Sequence, residues 1–333
     1  MRIFVAGATG AVGRRLIPIL VHAGHSVVGM TRSQSKTSAL LATGAEAVVV
    51  DALDADAVMA AVRQAAPEIV VHELTAIPPL LDFRKIEQQF ALTNRLRTEG
   101  TDYLLAAALA AGVRRFLAQS YAGWPFARNG GPVKTEEDPL DTNPPAAMRK
   151  ILDAIRHVET TVTGASGIEG IVLRYGGFYG PGNAIGDGSA LLDQIRRRLI
   201  PVVGGGTGTW SFIHIDDAAR ATLAAIERGQ RGIYNIVDDD PALVSAWLPA
   251  LSSALGAKPP RHVPAWVARF LIGEQGVMFM TEVRGASNAK AKRELGWQPV
   301  WSSWRDGFVG GLGNPPAAGE RKAHRYATAV SRA

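Results

Sequence analysis

Short apolar runs alternate with amphipathic stretches over the first half of the chain. Ile3 to Ala6, Ser26 to Met30, Ala47 to Val50, Ile69 to His72, Arg115 to Ala118 and Gly170 to Leu173 are runs of strand length. Between them apolar positions recur at helical spacing near Val12 to Ala23, Ser35 to Thr43, Asp54 to Ala65, Leu92 to Ala111 and Pro145 to Thr163. Buried strands separated by helices predict a Rossmann-type α/β fold, a doubly wound parallel sheet covered on both faces. Pro18 falls inside the first helix, where it removes a hydrogen bond and invites a kink. Beyond Arg174 the texture changes to Gly- and Pro-rich loops, a basic helix at Leu191 to Arg198 and a short strand pair before Ile213. Gly232 to Val237 reads as a return to the sheet, followed by helices at Ser245 to Leu255 and Pro264 to Leu271. The expected division is a nucleotide-binding domain over 1–174, completed by about 213–237, then a smaller interleaved C-terminal substrate lobe over 175–312 and a flexible basic tail over 313–333.

The run Val5-Ala6-Gly7-Ala8-Thr9-Gly10-Ala11-Val12-Gly13 follows the first strand and leads straight into the first helix. In that setting Gly7 permits a tight turn, Gly10 a close approach of backbone N–H groups to phosphate, and Gly13 close packing of helix on sheet. Thr9, Ala11 and Val12 complete the turn, and a dinucleotide's pyrophosphate is expected at the helix N-terminus.

The second strand ends at Thr31-Arg32-Ser33, where NAD-binding proteins usually place an acid for the adenosine ribose. No Asp or Glu occurs from Met1 to Ala45, whereas Arg32, Ser33 and Lys36 gather where a 2′-phosphate would lie. The segment therefore favours NADP(H) over NAD(H), with a solvated basic loop as the alternative. Asp51, followed by Ala52, is placed either for the adenine amino group or as a helix cap.

The chain has 333 residues, 47% of them hydrophobic, enough for one large unit or two modest ones. It has no cysteine, which excludes disulfides and thiolate chemistry and fits a reducing, cytoplasmic setting. The N-terminus has no secretory pattern, and no apolar run approaches the roughly 18 residues of a membrane span, so a membrane role is not expected. Of the net charge of +6, the segment from Gly313 supplies Arg321, Lys322, Arg325 and Arg332 against Glu320. The remainder is weakly basic, without an arginine-rich helix, so nucleic acid is not an expected partner.

Several further segments, in order, resemble those of the extended short-chain dehydrogenase/reductases, in the group labelled NAD-dependent epimerase/dehydratase. They are the glycine turn; Val70-Val71-His72-Glu73-Leu74-Thr75-Ala76; Arg115-Phe116-Leu117-Ala118-Gln119-Ser120; Leu173-Arg174 leading to Tyr179-Gly180-Pro181-Gly182; Phe212-Ile213-His214-Ile215-Asp216-Asp217-Ala218; and Glu294-Leu295-Gly296-Trp297-Gln298-Pro299. The resemblance spans about 1–312. It implies a nicotinamide cofactor lined by Leu74, Thr75, Ala76 and Gln119, a small-molecule substrate met by Tyr175, Phe178, Asn183 and Trp210, and a homodimer built on two long helices.

The pattern breaks where members that move hydride carry Tyr and Lys four residues apart, the Lys lowering the phenol's pKa. None of Tyr103, Tyr121, Tyr175, Tyr179, Tyr234 and Tyr326 is followed by such a Lys. Counting back from Glu159, the two positions fall on Ile151 and Ile155, or with a slip of one on Leu152 and Arg156. The family's Ser or Thr at the end of the fifth strand is replaced by Tyr121, with Ser120 before it. Tyr121, Ser120 and Tyr179 are the candidate catalytic groups, with structural packing as the alternative reading of both tyrosines. Trp210 stands where sugar-nucleotide enzymes have a phosphate-binding Arg, which points to an apolar or aromatic substrate. His214, Asp216 and Asp217, read as strand residues alternating faces, do not form a metal site. The expected function is an NADP(H)-linked oxidoreductase acting on a small apolar carbonyl or alcohol. The alternative is a redox-silent NADP-binding sensor, or a lyase or isomerase that keeps the nucleotide as scaffold.

Overall fold

A computed structural model of the chain describes residues 1–313. The apolar runs become a seven-stranded parallel sheet: β1 (Arg2–Ala6), β2 (Ser26–Thr31), β3 (Glu46–Val49), β4 (Ile69–His72), β5 (Arg115–Tyr121), β6 (Glu169–Tyr175) and β7 (Gly232–Ile236). Its order is β7-β6-β5-β4-β1-β2-β3. The winding reverses where β1 lies between β2 and β4, and a crevice opens there beyond the carboxyl ends of the strands.

Twelve helices occur among the described residues: α1 (Gly13–His22), α2 (Thr37–Leu41), α3 (Ala55–Ala65), α4 (Ile86–Arg97), α5 (Glu99–Ala110), α6 (Arg149–Gly164), α7 (Ala190–Arg196), α8 (Ile215–Arg228), α9 (Val244–Ala254), α10 (Ala265–Thr281), α11 (Ala289–Leu295) and α12 (Trp304–Gly310). Side chains alternate across each strand, so Ile3, Val5, Ile69, Val71 and Ile171 meet α1 and α8. Phe4, Val70, Phe116 and Val172 face α3, α5 and α6 on the other side. A third core, built on Tyr179, Phe212, Trp247, Trp304 and Phe308, fills the C-terminal lobe.

Several elements depart from the sequence expectations. Leu92 to Ala111 is two helices, because Thr98 leaves helical geometry (φ −94°, ψ −83°) and its hydroxyl donates to Asn94 O at 3.0 Å. Ala146–Met148 forms a single 3-10 turn before α6. α10 runs past Leu271 to Thr281 but breaks at Gly273 (φ 75°, ψ 174°), a conformation suited to glycine. α1 passes through Pro18 without a break, with the ring on its solvent face. The largest omission is α8, whose small-residue face of Ala218, Ala221 and Ala225 lets it lie against the sheet. No helix among the described residues is long and apolar enough to cross a membrane. The tail from 314 lies outside the described residues.

Candidate functional site

The crevice at the β1–β4 reversal is a cleft of about 230 Å³ lined by Gly7, Thr9, Gly10, Arg32, Ser33, Lys36, Asp51, Ala52, Leu74 and Thr75, among others. Residues up to 68 positions apart in sequence thus converge in the order expected of one nucleotide: turn, basic loop, third-strand end and fourth-strand end. The turn itself is fixed by Gly10 N donating to Gly7 O at 2.9 Å. Gly7 has a positive φ of 91°, and a Cβ there would come within 2.6 Å of Glu73 O. A Cβ on Gly13 would lie 2.4 Å from Gly7 O, so the helix start and the turn touch backbone to backbone. No side chain caps α1 after Val12, and its first turn has no acid, which leaves the terminal N–H groups suited to phosphate.

At the other end of the cleft Arg32 and Lys36 are exposed, and neither has a carboxylate partner among the described residues. Asp51 Oδ1 accepts from Leu53 N at 3.0 Å, which makes it a turn cap in this structure, while Asp54 caps α3. Ala76 is held by its N–H donating to Thr93 Oγ1 at 3.1 Å, and Gln119 is half-buried beside Ser120.

The second part of the site lies at the end of β5. Tyr121, Trp124, Thr209, Trp210, Ser211, Phe279 and Val283 close around a cavity of about 10 Å³, roughly the space of one water molecule. Trp210 Nε1 donates to Phe279 O at 2.8 Å, and the Phe279 ring stands 6.1 Å from Trp210, 6.2 Å from Trp124 and 5.1 Å from Phe83. No charged side chain lines this cavity. Burial pushes the Tyr121 phenol up to about 12, so it is a proton-bearing group at neutral pH.

Five further sequence candidates, Tyr179, Tyr175, Ser120, Asn183 and Phe178, are engaged within the protein. Tyr179 is fully buried in the lobe core, 5.2 Å from His214 and 5.6 Å from Phe308 between ring centroids, with burial raising its phenol further. Its ring packs in this core. Tyr175 is also fully buried: its hydroxyl donates to Glu73 Oε1 at 2.9 Å and lies 2.6 Å from Thr222 Oγ1. The Ser120 hydroxyl is used internally, donating to Glu159 Oε1 at 2.7 Å. Asn183 donates weakly to Gly180 O and Pro181 O, at 3.3 Å each, and Phe178 packs 5.4 Å from Tyr175.

His214 and the two acids after it were read as strand residues, and this is corrected: His214 ends a strand and caps α8, so Asp216 and Asp217 are helical. His214 Nδ1 accepts from Asp216 N, Asp217 Oδ2 accepts from Trp301 N, and no metal-binding cluster occurs among the described residues.

Two buried acids carry chemistry that pattern reading did not single out. Glu73, on the cleft side of β4, and Asp238, after β7, are both raised to about 8 by burial, and each has one oxygen without a partner among the described residues. An acid raised in the folded state stabilises it below its unfolded pKa, and that contribution is lost as pH climbs through the folded value. His72, lowered from 6.5 to about 4 by burial, acts oppositely but only below its unfolded value. Stability is therefore expected to fall as pH rises from about 6.5 to about 8. Glu73→Gln should flatten that fall in chemical unfolding measured across the window; an unchanged slope would remove Glu73 as its source.

Comparison with known proteins matches the profile described as "NAD dependent epimerase/dehydratase family" to residues 3–237. A 3-diazoavenalumate denitrifying reductase from a Streptomyces species is 44% identical over 311 residues, covering 92% of this chain and 99% of the reductase. A 4-hydroxy-2-methyl-3-oxo-4-farnesyl-3,4-dihydroquinoline-1-oxide ketoreductase from Stigmatella aurantiaca is 27% identical over 78% of this chain and 74% of its own length. Among solved structures, the UDP-glucose 4-epimerase of Thermotoga maritima with UDP-glucose superposes with a TM-score of 0.73 at 22% identity, covering 93% of this chain and 96% of the epimerase. A Streptomyces venezuelae dTDP-glucose 4,6-dehydratase with NAD bound gives 0.71 at 21%, covering 94% and 96%.

Proposed function

The chain belongs to the NAD-dependent epimerase/dehydratase family, and from that membership we propose that it is an NADP(H)-linked reductase delivering hydride to a small, apolar electrophile. The observation that carries the reading is the pairing of a nucleotide cleft with an uncharged cavity whose phenol, Tyr121, is held in its protonated form. A protonated phenol cannot accept the proton released when an alcohol is oxidised. The same phenol can donate a hydrogen bond to a substrate that is being reduced.

The nucleotide, when bound, supplies the hydride. This chain's contribution is to hold it: backbone N–H groups at the start of α1 toward the pyrophosphate, Arg32 and Lys36 toward a 2′-phosphate, and Leu74 and Thr75 along the ribose. In either register of the resemblance, Ile151 and Ile155 or Leu152 and Arg156, no tyrosine falls at the position of the family's Tyr, so no activated tyrosinate is invoked there. That loss is harmless for an electrophile that takes hydride without a proton. The denitrifying reductase, whose name specifies a diazo substrate, supplies an instance of such a group. For an aryl diazonium ion the net step is ArN2+ plus hydride giving ArH plus N2. The C–N bond breaks, a C–H bond forms, the two electrons come from the reduced nucleotide, and no net proton is consumed.

Two measurements test this. Calorimetric titration should show NADPH binding more tightly than NADH, and Arg32→Ala should cost about 1–3 kcal/mol of NADPH affinity with little change for NADH. Equal losses for both nucleotides would defeat the assignment of Arg32 to the 2′-phosphate. Absorbance at 340 nm with aryl diazonium salts, ketones and aldehydes should then show enzyme-dependent oxidation of NADPH above the uncatalysed rate. Tight binding without turnover of any of them would favour the sensor or non-redox scaffold instead.

A further inference from the structure

We propose that the cavity beyond Tyr121 is a site for a planar aromatic ring bearing a hydroxyl, with Thr209 as the residue that selects for that hydroxyl. This rests on the reductase reading and names its substrate class. Three kinds of observation converge. The lining has four large aromatic side chains, Tyr121, Trp124, Trp210 and Phe279, and no charge. Such a wall offers flat apolar faces for stacking, and its indole faces also favour a cationic ring substituent. It offers nothing to neutralise a sugar-linked diphosphate.

The polar atoms of the lining are the second observation. Trp210 Nε1 is committed to Phe279 O, and Ser211 Oγ accepts from Ala286 N at 2.9 Å. Thr209 Oγ1 is buried and has no hydrogen-bond partner among the described residues, on a residue only 4% exposed. A buried hydroxyl left unsatisfied costs stability, and such groups persist where a ligand completes them. A ring hydroxyl supplies both a donor and an acceptor for it.

The third observation concerns access. The rings now close on one another, and a benzene ring enters only if Phe279 withdraws. Phe279 lies on the part of α10 beyond the break at Gly273, where Gly208 N donates to Met280 O at 3.1 Å and Thr207 Oγ1 to Thr281 O at 2.7 Å, so entry requires the Phe279 ring to turn aside while this backbone stays in place.

The test uses full-length protein saturated with NADP+, with 4-hydroxycinnamate, cinnamate and UDP-glucose as probes, read by tryptophan fluorescence and calorimetry. The expected result is binding of both arenes but not of UDP-glucose, with 4-hydroxycinnamate the tighter. Thr209→Val should abolish the preference, roughly a 10-fold loss for the hydroxylated probe alone, whereas Thr209→Ser should keep it. Thr209→Val should also fold at least as stably as the parent, because it removes an unsatisfied hydroxyl, so loss of the preference is separable from unfolding. Binding of UDP-glucose in preference to the arenes would overturn the proposal, as would a hydroxyl preference that survives in Thr209→Val. Failure of NADP+ itself to bind would instead overturn the reductase reading, and with it this inference.

Discussion

Replacing Glu159 by alanine is expected to destabilise the protein by about 3–5 kcal/mol, the usual result of removing one member of a buried charge pair. Its carboxylate accepts from Arg174 Nε and Nη2 at 2.7 and 2.6 Å and from Ser120 Oγ at 2.7 Å, with Glu159 and Arg174 both under 5% exposed. Arg97, also buried and without a hydrogen-bond partner for Nε or Nη1, lies close enough to feel the same carboxylate. Without Glu159, two guanidinium groups remain in a region that water does not reach. Ser120→Ala removes only a neutral hydroxyl from this network and should cost about 1 kcal/mol. Urea unfolding of the two variants measures the contrast. Similar small losses for both would mean that the network relaxes or hydrates, and that Glu159 does not hold β5, β6 and α6 together.

The second large effect is expected on binding. Gly7→Ala places a methyl group 2.6 Å from Glu73 O in a backbone conformation, φ 91°, that alanine resists. Strain of this kind costs of order 1–3 kcal/mol before any clash is counted. The turn has little freedom to relieve it, since Gly7 O is itself in backbone contact with Gly10 and Gly13. Either the turn opens or β4 moves away, and in both cases the N–H groups of α1 lose their aim. We expect NADPH affinity to fall at least about 100-fold, beyond what the loss of stability explains. Calorimetry well below the variant's unfolding temperature separates the two effects. Unchanged affinity would place the pyrophosphate elsewhere.

Legibility in the sequence followed the range of the interactions involved. The sheet was readable because Ile3 to Ala6 or Ile69 to His72 must be buried on both faces, a condition their own composition satisfies. That the glycine turn, Arg32, Ser33, Lys36, Leu74 and Thr75 line one cleft was readable because glycine spacing and strand ends are local facts. The Tyr179 and Tyr175 placements were not readable, because a phenol's role depends on what surrounds it, and here the surroundings are residues such as Phe308 and Thr222 that are far along the chain. The same holds for α8. Its segment begins with His214, Ile215, Asp216 and Asp217, in which polar and apolar residues mix, and the capping geometry of His214 starts a helix where a strand is expected. Thr209 gave no signal at all, since an unsatisfied hydroxyl is defined by its environment.

The order of the sheet bears on how specificity in this protein can be changed. The chain leaves the sheet after β6, enters the lobe, returns to contribute α8 and β7, and then completes the lobe with α9, α10 and α12 while α11 packs back on α8 and β7. A chain ending after Tyr175 would lack both the sheet's outermost strand and one of the helices that covers its first face. The two halves therefore cannot be separated by a single cut, expressed alone or exchanged between relatives as cassettes. Heating should melt them together, and altered substrate preference is reachable only by substitution within the intact polypeptide.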